Sequence, residues 1–224
     1  PDKAAAVAAL DEYFRDTNDS ASDKALLLTT TPGVSQDTVR DISDGKNLVG
    51  KLAGNDAAGQ HKDWNVDGTF KGWAGATSPE NMVDKLFGLI ADQVVDINGN
   101  STNRKDPEDN NIDSLYVTAN GLDLKQLVQK FLLGAVVLSQ GADDYLDATI
   151  DGKGLLSANE QDGTKPYTKL EHQVDEGFGY FGAARDYADY SDDELSGKAT
   201  ETDARVNYHD TDGDGSIDLN SEYN

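Results

Sequence analysis

The C-terminal stretch HDTDGDGSIDLNSEYN, residues 209–224, alternates aspartate with small residues and then inserts glycine. Closely spaced carboxylates repel one another unless water or a cation lies between them. With Asp210 as position 1 and Gly215 at position 6, the spacing is typical of a calcium loop of the EF-hand kind. The predicted calcium ligands are the side chains or carbonyls of Asp210, Asp212, Asp214, Ser216, Asp218 and Glu222.

The loop departs from that pattern at its end. Position 12 is Ser221, and the first glutamate, Glu222, stands at position 13. We expect Glu222 to close the site if the chain turns suitably, with water as the alternative ligand. A single loop with no facing partner favours a structural role for calcium over a switching role. The competing interpretation is a solvated acidic turn without an ion.

A second candidate cation site lies in KLEHQVDEGFGYFG, where His172 stands three residues before Asp175 and four before Glu176. On a helix these side chains project from one face, as metal ligands do in helical bundles. Iron or zinc would suit the histidine. An ordinary hydrogen bond between His172 and Glu176 explains the same spacing. Further ligands would have to come from elsewhere, for instance Asp84, Asp92 or Tyr145.

The charge balance excludes some partners. The chain has 42 acidic and 19 basic residues, a net charge of −23. Nucleic acids and anionic membrane surfaces are recognised through Lys and Arg, so we expect no nucleic-acid partner. Metal cations are the partners that this charge favours.

Thiol chemistry and disulfides are excluded because the chain has no cysteine. No apolar run reaches the roughly 20 residues of a membrane span. Because the sequence starts at Pro1 and a calcium loop is normally followed by an ordered element, we expect the natural protein to extend beyond both Pro1 and Asn224.

Apolar spacing predicts four helices connected by long acidic loops, hence a mainly α, up-and-down bundle. The second starts with Ser78 as N-cap and Pro79 at the first helical position. The middle of the third is apolar nearly all round, which predicts a central place. The four predicted stretches are residues 2–17, 78–97, 122–147 and 165–190.

The loop from Trp64 to Trp73 contains Phe70 between two tryptophans. Its aromatic side chains are expected to tether the loop to the core, and ligand binding is the alternative.

Several segments together resemble an uncharacterised family of bacterial envelope lipoproteins classed with the imelysin-like proteins. The segments are KLAGNDAAGQHKDWNVDGTFKGW, SPENMVDKLF, GLDLKQLVQKFLLGA, EHQVDEGFGYFGAARDY and DTDGDGSIDLNSEYN, within residues 45–224. The resemblance implies a helical bundle in the cell envelope, in the periplasm or at the outer-membrane surface. It also implies a lipid anchor upstream of Pro1 and a second helical half after Asn224.

The imelysin-like group takes its name from a peptidase assignment, includes proteins linked to iron uptake, and carries a Gly-x-His-x-x-Glu signature. Here Leu170 stands where glycine is expected, His172 is in place, and Asp175 replaces glutamate with Glu176 beside it. On this resemblance, residues 1–224 form a single imelysin-like helical domain, the N-terminal part of a longer chain, ending in the calcium loop at 210–222.

Three functions remain open. The preferred one is a non-catalytic envelope protein that binds metal ions. A calcium-stabilised adhesion or scaffold module is the alternative, in which His172 merely packs. A metallopeptidase is the least favoured, because the His-Glu-x-x-His zinc motif and a Gly-x-Ser-x-Gly nucleophile motif are both absent.

Overall fold

Helices supply the regular secondary structure in the computed structural model, which describes residues 2–55, 64, 70–71, 75–98, 104–199 and 205–224. Within these ranges extended pairing is limited to isolated bridges, so the prediction of a mainly α protein is confirmed. The α-helices are α1 (Lys3–Arg15), α2 (Val39–Ser43), α3 (Pro79–Asn98), α4 (Leu124–Leu132), α5 (Lys169–Phe181) and α6 (Asp192–Leu195). Short 3-10 turns cover Thr17–Asp19, Val49–Lys51, Gly154–Leu156 and Tyr187–Asp189.

Helices α1 and α3 begin where the sequence places their caps. The Asp2 carboxylate accepts a hydrogen bond from the backbone N–H of Ala5 at 2.8 Å. The Ser78 hydroxyl accepts one from the N–H of Asn81 at 3.1 Å. Each bond satisfies a donor that the first helical turn leaves free. The predicted helix after Ser78 is therefore confirmed.

The core lies where α1, α3 and α4 meet. Phe14 of α1 packs edge-on against Phe87 of α3, with ring centroids 5.7 Å apart. Leu86 of α3 and Leu124 of α4 are fully buried in the neighbouring cluster. Burial of each such side chain stabilises the fold by about 1.5–3 kcal/mol, so these contacts hold the three helices together.

The third predicted helix is present but is not a regular α-helix. After α4 the chain continues through two π-helical segments, Leu133–Leu138 and Gly141–Tyr145. The sequence predicts that the middle of this helix lies at the centre of the bundle. That prediction is wrong, because Leu133 is 49% exposed and Leu138 is 62% exposed. One face packs into the core, while Leu138 on another face lines an open cavity.

The fourth predicted helix, α5, is shorter than its pattern indicates. It ends at Phe181 because Gly182 adopts a left-handed conformation with φ of 73°. Within α5, Gly177 is the glycine that packs closely against another part of the chain. A Cβ added at Gly177 would lie 2.7 Å from Cδ2 of Leu146, whereas one at Gly179 would meet open space.

No helix in the described ranges combines the length and the apolar character needed to cross a membrane.

Candidate functional site

The acidic loop, residues 210–222, is shaped by two glycines and one aspartate. Gly213 and Gly215 have φ of 75° and 89°, in the left-handed region that favours glycine. The Asp210 carboxylate accepts hydrogen bonds from both of their backbone N–H groups, at 2.7 Å from Gly213 and 3.0 Å from Gly215. The chain therefore curls around the side chain of Asp210.

A segment near the N-terminus holds the loop from outside. Ile217 is fully buried and forms a parallel bridge with Val34. Its N–H donates to the carbonyl of Gly33, and its carbonyl accepts from the N–H of Ser35, both at 2.9 Å. The loop is thus pinned at Ile217 by a partner roughly 180 residues away in sequence, and no local pattern specifies this contact.

Gln36 extends this attachment through its side-chain amide. Its Nε2 donates to Oδ1 of Asp218 at 2.8 Å, and its Oε1 accepts from the N–H of Leu219 at 3.0 Å. Both ends of the amide are therefore engaged with the second half of the acidic loop, which restricts how that half can move.

The flanks of the loop pair with each other. The N–H of His209 donates to the carbonyl of Glu222 at 3.2 Å, and the N–H of Asn224 donates to the carbonyl of Asn207 at 2.7 Å. The rings of Tyr208 and Tyr223 stack with their centroids 6.1 Å apart. These contacts bring position 13 of the loop back beside position 1.

Glu222 is the most enclosed carboxylate of the loop, with 3% of its surface exposed. Its Oε1 accepts from the N–H and the hydroxyl of Thr211 at 2.7 and 2.6 Å, and its Oε2 accepts from the N–H of Asp218 at 2.9 Å. Burial by itself would raise the pKa of Glu222, but these hydrogen bonds outweigh it, and the pKa lies below its ordinary value. Glu222 is therefore a buried anion.

Three carboxylates of the loop come together. Asp210, Asp212 and Glu222 each offer an oxygen, and these oxygens all lie within 4.8 Å of one another. Oxygen ligands lie about 2.3–2.6 Å from calcium, so two of them on opposite sides of one ion are about 5 Å apart. In the described part of the chain, this group has the spacing that a single cation requires.

The other predicted ligands lie apart from this group. Oδ1 of Asp214 accepts from the N–H and the hydroxyl of Ser216 at 2.8 and 2.6 Å. The carboxylate of Asp218 accepts from Gln36 and from the hydroxyl of Ser221 at 2.8 Å each. Burial works against ionisation of Asp218, yet these bonds and the N–H of Asn220 lower its pKa. Asp214, Ser216 and Asp218 thus organise the loop in this structure.

His172 lies on α5, and its side chain is partly exposed to solvent. Its Nε2 is 3.7 Å from Oε1 of Glu176, and its ring stacks on Tyr167 with centroids 5.3 Å apart. Asp175 is exposed. His172 and Asp175 also line an open cavity of about 650 Å³.

No third ligand joins His172 among the described residues. Asp84 pairs with Arg15 at 3.0 Å, and Asp92 pairs with Lys3 at 2.6 Å, both where α3 faces α1. Tyr145 stacks on Tyr180, with ring centroids 5.7 Å apart. The structure therefore shows the pairing of His172 with Glu176 and leaves a metal at this position a prediction.

Sequence reasoning missed several residues that hold the acidic loop in its shape. Gln36 and Thr211 belong to no ligand pattern, and only their tertiary contacts reveal them. Asp186 is a third such residue. Its Oδ2 accepts from Nε of Arg205 at 2.8 Å and lies 3.1 Å from Nδ1 of His209, which fixes the residue preceding the loop.

A protein-family model described as a domain of unknown function, DUF4856, matches residues 76–202. This range includes α3 to α6 and His172, but the acidic loop lies outside it. Searches of curated proteins and of solved structures returned no match.

Proposed function

The chain belongs to the DUF4856 family, and we propose that it is a non-catalytic metal-binding protein of the bacterial cell envelope, stabilised by calcium in its acidic loop. The observation that carries the proposal is the convergence of the Asp210, Asp212 and Glu222 oxygens within 4.8 Å. Three carboxylates at this spacing repel one another strongly unless a cation lies between them.

Calcium is the cation that best suits these ligands. The donors are all oxygen, and a flexible sphere of six to eight oxygens is typical of calcium. Backbone carbonyls and water would complete the sphere. Because the hydrogen bonds from Thr211 and Asp218 already occupy much of Glu222, it would bind through one oxygen rather than two.

The proposed role of calcium is to fasten distant parts of the chain together. The acidic loop contacts residues 33–36 through Ile217 and Asp218, and the N–H of Arg185, after α5, donates to the carbonyl of Ser221 at 2.8 Å. An ion that binds the folded loop and not the unfolded chain stabilises all of these contacts by mass action. A structural role follows, in agreement with the single loop in the sequence.

The up-and-down arrangement rests on the apolar spacing of the sequence. The envelope assignment and the imelysin-like fold rest on the sequence resemblance, which also implies a lipid anchor upstream. A site with only three clustered carboxylates suits the extracellular range of calcium affinity, with Kd of about 10⁻⁴–10⁻³ M. That range favours a compartment in which calcium is abundant.

A second cation at His172, iron or zinc, is a subsidiary proposal supported by the pairing of His172 with Glu176 beside an open cavity. An adhesion or scaffold module is the alternative if His172 binds no metal. A metallopeptidase is the least supported, since zinc catalysis uses about three protein ligands and a general base.

Thermal unfolding of the Asp212→Asn variant, with calcium and with excess chelator, tests the calcium proposal. Asparagine retains an oxygen that can accept from the N–H of Asp214, as Oδ1 does at 3.1 Å. At calcium about 100-fold above Kd, the wild-type protein should gain about 2.7 kcal/mol in free energy of unfolding. The variant should lose most of this gain and keep its stability in chelator.

Asp214→Asn is the matched control. It also removes one negative charge, two residues after Asp212, but the carboxylate of Asp214 lies outside the group of three. We expect it to weaken calcium binding less than Asp212→Asn does. Absence of any calcium effect on the wild-type protein, or equal destabilisation of Asp212→Asn in calcium and in chelator, would overturn the proposal.

A further inference from the structure

An apolar cavity of about 550 Å³ lies beside the π-helical part of the chain, away from the acidic loop. Its walls include Trp64, Phe70, Phe131 and Leu138. Phe70 packs edge-on against Phe131, with ring centroids 6.2 Å apart. Small-molecule sites are typically cavities of roughly 300–1,000 Å³ with mostly apolar walls and a few polar groups.

Two polar groups of this cavity have no hydrogen-bond partner among the residues that the structure describes. Ser139 is 5% exposed, and its hydroxyl is buried without a partner. Oδ2 of Asp143, one helical turn further on, is buried in the same way. Both residues line the cavity. An unpartnered buried hydroxyl costs free energy, and an unpartnered buried carboxylate oxygen costs more, so both call for a ligand group.

The backbone at this place is unusual as well. Ser139 follows the π-helical segment Leu133–Leu138, and Asp143 lies within the segment Gly141–Tyr145. Such π-helical turns are rare and occur frequently at functional sites, because each extra residue turns the following side chains to a new direction. Here the distortion accompanies two polar side chains on the wall of an otherwise apolar cavity.

We propose that this cavity binds an organic ammonium compound, with an aromatic or aliphatic body against Trp64, Phe70 and Phe131 and its N–H groups donating to Asp143 and Ser139. The unpartnered carboxylate oxygen can only accept, so the ligand must donate. A cation also compensates the charge of Asp143 better than a neutral donor does. Aromatic walls attract cations through their ring faces, which adds to the preference.

Lys130 is the basic residue among the cavity-lining residues. It precedes Asp143 by 13 positions, which corresponds to roughly 15–20 Å along a helical axis. The structure shows no ion pair between Lys130 and Asp143 among the described residues. An ammonium group beside Asp143 would therefore be too distant for strong repulsion by Lys130.

Isothermal titration calorimetry of the 224-residue protein with 2-phenylethylamine tests the inference. The matched probe is 3-phenylpropanoate, which places a carboxylate on a similar body. We expect the amine to bind with Kd of about 1 mM or tighter, given its few non-hydrogen atoms. We expect Asp143→Asn to weaken it about tenfold, and the carboxylate probe to bind at least tenfold more weakly than the amine.

A cavity-filling variant separates this site from attraction to the acidic surface. Gly134 lines the cavity, and a Cβ added there would meet nothing within 4 Å. Gly134→Leu should therefore fold and abolish binding of the amine. Gly179→Leu is the control, because Gly179 is another helical glycine with open space and does not line this cavity.

Three results would overturn the inference. They are no binding of the amine, binding that neither Asp143→Asn nor Gly134→Leu reduces, and equal affinity for the amine and the carboxylate. Calcium is kept in excess throughout, so a negative result here leaves the calcium titration of the acidic loop unaffected.

Discussion

The acidic loop and the His172 face of α5 start from similar sequence information and end differently. Both place potential ligands at close spacing in sequence, three aspartates in one case and His172 with Asp175 and Glu176 in the other. In the loop, Glu222 returns to lie beside Asp210 and Asp212. On α5, His172 keeps a neighbour on its own helix and gains no third ligand among the described residues.

The difference lies in what closes each site. The acidic loop is attached to residues 33–36 and is flanked by the pairing of Tyr208 with Tyr223, so both of its ends are held. The face of α5 around His172 borders an open cavity. Local spacing can align two ligands, but enclosing a cation takes a contact from another part of the chain.

Among the substitutions that test this comparison, Glu222→Gln should have the largest effect on stability. In wild type the two carboxylate oxygens accept from the N–H groups of Thr211 and Asp218. The amide of glutamine has one oxygen, so its NH₂ group must lie against the N–H of either Asp218 or Thr211. We expect a loss of about 2 kcal/mol in free energy of unfolding, about 4–8 °C in Tm, even in chelator. Differential scanning calorimetry measures it. If the Glu222→Gln variant has the same Tm as the wild-type protein in chelator, Glu222 is not the residue that closes the loop.

The same variant has a predicted pH dependence. The pKa of Glu222 is lowered in the folded protein, so its contribution to stability is present above the ordinary glutamate pKa and is lost as pH falls through the lowered value. The stability difference between wild type and Glu222→Gln should be full at pH 7 and shrink below about pH 4. A difference that grows as pH falls below the ordinary glutamate pKa would contradict the assignment of Glu222 as a buried anion.

A smaller effect is expected from Gln36→Ala, which tests whether the distant segment matters. It removes both hydrogen bonds to the second half of the loop, with a cost of about 1 kcal/mol. Calcium affinity should fall about fivefold, because the ion must then order that half itself. Gln129→Ala, on the exposed surface of α4, is the control. Unchanged calcium affinity in Gln36→Ala would mean that the loop closes by local contacts alone.

The smallest effect is expected from His172→Ala. Its ring is partly exposed and stacks on Tyr167, so we expect a stability change of at most about 0.5 kcal/mol and unchanged calcium affinity. Elemental analysis of dialysed protein sharpens the comparison. Near-stoichiometric iron or zinc that disappears in His172→Ala would make the α5 face a second cation site. A change in calcium affinity would instead show that the two regions are coupled.

Local signals in the sequence predicted the presence of α1, α3, α4 and α5, although α5 is shorter than predicted and α2 and α6 are not among the four predicted helices. Asp2 and Ser78 mark the starts of α1 and α3, and the capping pair Thr168 and Glu171 starts α5. The π-helical segments after α4 could not be predicted, because apolar spacing over a few turns does not separate π from α geometry. The exposure of Leu138 depends on which neighbours pack there, and the helix's own sequence does not specify them.

By itself the sequence determined the helical class, the acidic surface and the local shape of the loop around Asp210, Gly213 and Gly215, because these follow from short-range sterics and hydrogen bonds. Tertiary structure decided that Glu222 at position 13 reaches Asp210 and Asp212 and that Gln36 holds Asp218 and Leu219. It also placed Ser139 and Asp143 on an apolar cavity. The physical reason is that the supporting contacts join residues far apart in sequence, such as Gln36 with Asp218, whose meeting depends on the packing of the whole chain.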